Sequence, residues 1–416
     1  MRAIYLILSL SEFATALVSP VFAFLFFSTT STLFPANASN AERAFAFGIF
    51  IAFYKFAGMI CNPIFGALSD IIGRKFTTII TLSGMLILAI ASIGAIVLHS
   101  VWLFIIGCFF FSLLFASKPV CTAAINDLSK EGSDKVKNQA LVQFFIGIGV
   151  TVGPVVGGYI ADVNIFNYDY MLPFIILLVC GIYLIFHARF FMRETLRKRE
   201  RSNFKEQFGF GGIKVIFKSK LLVCLLVIHI LNQLSWGTYY DFLPAVAKAV
   251  FNYDIKSVGI LVGLVGFWLI IASGLIIPFC MKNISGRNLI NISCWLGFIG
   301  VLAAYLASFF PKSHLADIIF WSTTFPVAVG DVILFCYLIS RFSQSVEKKF
   351  QGAVVGFIYI TGFGMWSLSA PLGGYLMKLH LNAALLMSPV SMAILLLFIY
   401  AIRNKDYYKS LNNTQV

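Results

Sequence analysis

The sequence predicts an all-α membrane protein of about twelve transmembrane helices in two six-helix halves. Composition is the first reason. The 416 residues are 60% hydrophobic and 12% charged, with mean hydropathy +0.91, whereas soluble domains carry about a quarter charged residues. The apolar residues also gather in runs of about 20, the length that crosses a bilayer core. Finally, a single long charged stretch, 192–220, has six such runs on each side. A soluble chain of this length could not keep so much apolar surface from water. Disorder, a disulfide scaffold and a nucleic-acid module are excluded together, although a pI near 9.4 and a net charge of +14 would suit the last.

Windows of about 19 residues place the spans at 4–29, 45–69, 76–98, 102–126, 140–160, 172–191, 221–242, 258–281, 289–310, 318–340, 352–376 and 383–402. Each lies between charged or turn-forming residues. The first begins after Arg2, and the third follows Gly73-Arg74-Lys75. An opening basic residue, an apolar run and Ala36-Asn37-Ala38 imitate a secretory signal. That run is about 26 residues and contains Glu12, while a signal's apolar region is about 7–15. A retained first helix is expected.

Of the 31 basic residues, 24 fall on one side of this topology, five on the other and two inside spans. The positive-inside rule makes both termini and the long loop cytoplasmic. A bacterial cytoplasmic (inner) membrane is the expected location. The eight cysteines have no metal-ligand spacing and nearly all lie inside spans, so they read as small apolar fillers. No metal site and no cofactor are predicted.

The expected division is an N-terminal bundle over 1–191, a linker over 192–220, a C-terminal bundle over 221–402 and a tail over 403–416. The halves echo each other. The fifth span ends Gly157-Gly158-Tyr159 and the eleventh Gly373-Gly374-Tyr375, each just after a proline. The fourth carries Lys118-Pro119, and the tenth carries Pro326 and Asp331. Repeats of this kind build many secondary transporters, with a site near the bilayer midplane.

Between the second and third spans stands Gly66-Ala67-Leu68-Ser69-Asp70-Ile71-Ile72-Gly73-Arg74-Lys75. Gly66 would let two helices approach, and Gly73 permits a tight turn with φ > 0. Asp70 could accept from N–H groups at a helix start or pair with a cation. The segment resembles the loop signature of the major facilitator superfamily. The resemblance implies a loop that latches the cytoplasmic side in one of two alternating states; the bland reading is a basic cytoplasmic turn. The counterpart around Asn283 and Gly286-Arg287 lacks the acid.

The fifth span carries Gly149, Gly153, Pro154, Gly157 and Gly158. Small residues at this spacing clear a helix face for packing, and Pro154 can bend the helix. The run resembles the G-x-x-x-G-P-x-x-G-G motif of the drug/proton antiporter branch, and Arg193-Glu194-Thr195-Leu196 after the sixth span is also family-like. That branch commonly has an arginine early in the fourth span. Here Gly107 holds the place, with Phe111 where a glycine is usual. The resemblance implies two pseudo-symmetric bundles around a central cavity lined by helices one, four, seven and ten.

Ionisable groups inside spans are costly and usually face a cavity. Glu12, Lys55, Lys118 and Asp331 are such groups. Lys118 and Asp331 stand nine and ten residues before Asp127 and Arg341, about 13–15 Å from the helix ends at 1.5 Å per residue. Polar stripes agree: Ser9, Glu12, Thr15 and Ser19 on the first helix, and His229, Asn232, Gln233, Trp236 and Tyr240 on the seventh. Lys55 and Asn62 share one face of the second.

Glu12 and Asp331 are the candidate proton carriers, with His229 as a third, which could equally be a hydrogen-bonded cavity residue. Lys55 and Lys118 could hold a substrate anion, or pair with the acids, as Glu12 with Lys118, and only stabilise the bundle. Lys55 could also snorkel. The expected function is proton-coupled transport of a small organic solute by alternating access, favouring export, and by a monomer. The alternative is movement of a carboxylate-bearing metabolite or siderophore. A membrane enzyme or sensor is disfavoured: the sequence contains no phosphate-binding G-x-x-x-x-G-K-[ST] loop, no H-E-x-x-H and no G-x-S-x-G.

Overall fold

A computed structural model describes residues 1–35, 37–129, 133–166, 168–196, 215–409 and 411. Ala36 of the signal-like tripeptide and most of the expected linker, 197–214, lie outside the described residues. Among the described residues twelve helices are long and apolar enough to cross a membrane. They are α1 (Arg2–Phe27), α2 (Asn40–Ile72), α3 (Arg74–Val97), α4 (Val101–Leu128), α5 (Leu141–Ala161) and α6 (Leu172–Phe191). The rest are α7 (Lys220–Ala249), α8 (Ile255–Asn283), α9 (Gly286–Ala307), α10 (His314–Gln344), α11 (Val354–Leu379) and α12 (Ala383–Ile402).

Each expected span has its helix, and several helices run further than hydropathy reached. Hydropathy falls at the membrane edge, whereas a helix stops where its terminal N–H and C=O groups find other partners. α2 begins five residues early because Ser39 and Glu42 form a capping box. The Ser39 hydroxyl accepts the Glu42 N–H at 3.2 Å, and the Glu42 carboxylate accepts the Ser39 N–H at 2.8 Å.

Proline interrupts four helices. α1 breaks at Val18 before Pro20, α4 at Phe115 and Ala116 before Pro119, and α10 at Thr323 before Pro326. α8 widens into a π-helical turn, Ala272–Ile276, before Pro278. Proline lacks the N–H owed to the carbonyl four residues back, so the helix re-forms beyond it.

The chain divides into two compact units, one of Met1–Phe204 with Tyr253–Gly266 and the other of Lys205–Asn252 with Phe267–Val416. In the first, α1 packs along α5 and α6, and α3 along α4 and α6. In the second, α7 packs along α11 and α12, and α9 along α10 and α12. One packing plan is used twice. The first unit's core includes Phe22, Phe26, Phe50 and Phe104, with Phe50 and Phe104 centroids 5.3 Å apart. Exposed Ile90, Trp102, Phe190, Leu275 and Leu397 are the side chains a bilayer, rather than water, would solvate.

α5 meets α1 through its glycines. An ideal Cβ at Gly153 would lie 2.6 Å from the Phe13 carbonyl oxygen, and one at Gly157 only 1.9 Å from that of Leu17. Gly149 likewise faces Glu12 and Phe13. Within the same unit, Gly158 faces the first turns of α8, where a Cβ on Gly259 would fall 2.4 Å from the Pro154 carbonyl. The motif therefore packs on two sides.

Candidate functional site

The polar stripe of α7 gathers in the second unit around Asp331 of α10. Residues 229, 232, 233, 236 and 240 recur every three or four positions, so a helix sets them on one face. Asn232 Nδ2 donates to Asp331 Oδ1 at 2.6 Å, and Gln233 Nε2 donates to the same oxygen at 3.4 Å. Among the described residues no hydrogen bond reaches Oδ2 of this half-buried side chain. Trp366 of α11 donates through Nε1 to Gln233 Oε1 at 3.1 Å. One chain of hydrogen bonds thus joins α10, α7 and α11.

His229 is fully buried, its Nε2 3.0 Å from the Ile358 carbonyl oxygen. A carbonyl only accepts, so Nε2 carries the hydrogen and Nδ1 is left with a lone pair. That Nδ1 has no hydrogen-bond partner among the described residues. Trp236 stacks on Tyr240 at 5.4 Å.

The first unit keeps its candidates apart. Glu12 is half-buried and Lys118 exposed, and neither forms an ion pair among the described residues. The Glu12–Lys118 pair that the sequence allows is not made. Thr15 bonds back to the Ser11 and Glu12 carbonyls at 2.8 and 3.2 Å, so that stripe partly satisfies its own helix. Lys55 is 8% exposed, its ammonium 5.6 Å from the Tyr54 ring centroid. Asn62 donates to the Gly58 carbonyl of its own helix at 2.9 Å. Gly107, where the related branch has arginine, faces α3, and a Cβ there would lie 2.2 Å from Ala91 Cβ. Phe111 is buried and stacks on Tyr54 and Phe115.

The Gly66–Lys75 loop builds a charged cluster. Gly73 adopts φ +106°, the left-handed turn only glycine takes readily. The Arg74 guanidinium pairs with Asp70 at 2.5 Å and Asp127 at 3.0 Å, and it also donates to the Ser69 hydroxyl. The Glu194 carboxylate accepts four backbone N–H groups: Arg74 at 2.9 Å, Lys75 at 3.2 Å, and Thr195 and Leu196 at 3.0 Å each. Thr195 Oγ1 donates to Asp127 Oδ2 at 3.2 Å.

One expectation is corrected here, and one of two alternatives is chosen. Gly66 does not sit at a close helix contact, since a Cβ there would meet nothing within 4 Å. Its side of α2 faces open space. Asp70 pairs with a cation, and the acid that caps the helix start is Glu194. Spacing could not reveal Glu194's role, or Asp127's and Trp366's, because each acts on a partner more than 50 residues away. No group of three His, Cys, Asp or Glu side chains able to hold a metal occurs among the described residues.

Residues 16–371 match the family description Major Facilitator Superfamily. The chain is 23% identical over 396 residues to the class H tetracycline resistance protein of Pasteurella multocida, covering 92% of this chain and 93% of that one. Two solved structures share its fold. A mutant of the nucleoside transporter NupG superposes with TM-score 0.75 at 10% identity, covering 99% of each chain. The human organic anion transporter MFSD10 gives TM-score 0.65 at 17% identity, over 96% of this chain and 97% of that chain.

Proposed function

The chain belongs to the major facilitator superfamily, and on that premise we propose that this multi-pass membrane transporter exports a small organic solute in exchange for protons taken up at Asp331. The observation that carries the reading is the Asn232–Asp331 hydrogen bond at 2.6 Å. An amide N–H donates more strongly to a carboxylate than to a neutral acid. Protonation of Asp331 removes the charge and weakens the bond from α7 to α10. Gln233 carries the change to Trp366, so α7, α10 and α11 repack together when the proton arrives. Occupancy of a proton is then coupled to which of two packings is favoured, as alternating access requires.

His229 is the lesser candidate. A proton on its buried Nδ1 would place a charge with no partner, which is costly. Among the described residues no hydrogen bond or ion pair reaches the Glu12 carboxylate, so Glu12 ranks below Asp331 as the proton carrier. Likeness to a tetracycline resistance protein supports export of an organic compound. A second reading, movement of a carboxylate-bearing solute, is favoured by Lys118, which is exposed and has no ion pair among the described residues, together with Lys55.

Proteoliposomes with an imposed pH gradient test the proposal. Solute flux should follow the gradient, and Asp331→Asn should abolish that dependence while the protein stays folded and binds solute. Gradient-driven flux at the wild-type rate in Asp331→Asn would exclude the assignment. Lys118→Ala should weaken anionic solutes most; an equal loss for neutral solutes would exclude the second reading.

A further inference from the structure

The two units treat corresponding helix starts differently. In the first, α3 begins at Arg74, and both the helix start and the guanidinium are answered by acids: Glu194 caps the helix, and Asp70 and Asp127 pair with the guanidinium. In the second, α9 begins at Gly286-Arg287 with no side-chain cap at Ser285 and no acid in its first turn. The position three before Gly286 holds Asn283, whose side chain donates back to the Phe279 carbonyl at 2.8 Å.

Around this uncapped start lie a buried guanidinium nitrogen and two buried hydroxyls that have no hydrogen-bond partner among the described residues. Arg341 of α10 is 7% exposed, its Nε has no hydrogen-bond partner, and it makes no ion pair among the described residues. One turn earlier, the buried Tyr337 hydroxyl lies over Gly286, 1.9 Å from where a Cβ would stand, and it too has no hydrogen-bond partner among the described residues. Tyr408, after α12, is fully buried, its hydroxyl has no hydrogen-bond partner among the described residues, and the Arg287 guanidinium lies 5.7 Å from its ring centroid. Tyr408 is within electrostatic range of Tyr337, and Tyr337 of Arg341. A buried cation and two buried hydroxyls without acceptors are each costly. Their shared lack is an acceptor with several oxygens.

We propose that Arg287, Arg341, Tyr337, Tyr408 and the first turn of α9 form a site for one phosphate group, borne by a phospholipid headgroup or free in solution. Guanidinium forks match phosphate oxygens, and a helix N-terminus adds oriented N–H donors. The phosphate takes the place that the Glu194, Asp70 and Asp127 carboxylates fill in the first unit. This site is independent of the proposed proton chemistry.

The test is thermal unfolding of the full-length protein in neutral detergent. Phosphatidylglycerol is compared with a neutral glycolipid of the same acyl chains, and inorganic phosphate with chloride at equal ionic strength. Phosphatidylglycerol should raise the midpoint by about 3 °C or more over the glycolipid. A comparable rise with inorganic phosphate assigns the site to phosphate in general; a rise with the lipid alone assigns it to a headgroup. Arg341→Gln and Arg287→Gln should erase the rise. Asn283→Asp, at an exposed position, restores the acid that Asp70 provides and should erase it without loss of folding. No rise with either additive, or a rise that survives in all three variants, would overturn the site.

Discussion

The Glu194 carboxylate closes the first turn of the helix that Arg74 begins, taking the Arg74 and Lys75 amides at 2.9 and 3.2 Å. One acid after α6 therefore fixes the start of α3, and the neighbouring Thr195 hydroxyl reaches Asp127 at the end of α4. Three helix ends are tied by a few side chains. Glu194→Ala should cost about 1–2 kcal/mol of stability. Glu194→Gln, which keeps an acceptor but not the charge, should cost about half of that. Thermal unfolding of the two variants in detergent checks the order; equal midpoints to wild type would remove the cap from the account.

Gly157 meets the Leu17 carbonyl with no space for a methyl group. Gly157→Ala must push α1 and α5 apart and should destabilise by about 1–3 kcal/mol. Gly66→Ala, with nothing nearby, should be close to neutral. The pair of midpoints separates a packing glycine from a permissive one.

Asp254 caps α8, its Oδ1 accepting the Ser257 N–H at 3.0 Å. The Ser257 side-chain hydrogen bond is the largest influence holding its carboxyl below the usual value of 3.8, with the Ser257 backbone and Lys256 also contributing. A depressed pKa means stability that is present above the unfolded value and lost as pH falls through the folded one. Asp254→Ala should therefore cost about 1 kcal/mol near neutral pH. The difference from wild type should vanish well below pH ~3.8. Denaturation midpoints across pH test this; a difference that grows on acidification would contradict it.

Trp366→Phe keeps an aromatic ring but removes the Nε1–H that Gln233 accepts at 3.1 Å. If the α10–α7–α11 chain transmits protonation, gradient-driven flux should fall about fivefold, the equivalent of one hydrogen bond of about 1 kcal/mol. Folding should be retained. Unchanged flux would take α11 out of the coupling.

Much of the architecture was legible because its causes are local. Twelve apolar runs needed only the cost of unpaired backbone in hydrocarbon to become twelve helices. The breaks at Val18, Phe115 and Thr323 follow from prolines that are visible in the sequence. Helix ends were less legible, as at Ser39, where a cap overrides hydropathy. The α7 stripe could be read from its period, and Asp331 from its rarity inside a span.

By itself, then, the sequence determined the number and type of helices, their order and the residues whose charge is out of place in a membrane. Tertiary structure decided which of those charges find partners. It joined Asp331 to Asn232 and left Glu12 and Lys118 unpaired with each other. It gave the helix cap to Glu194 and, among the described residues, left the Arg341 Nε without an acceptor. The reason is physical. A helix or a span depends on neighbours within a few residues, whereas a hydrogen bond between helices depends on packing that brings together positions often more than a hundred apart.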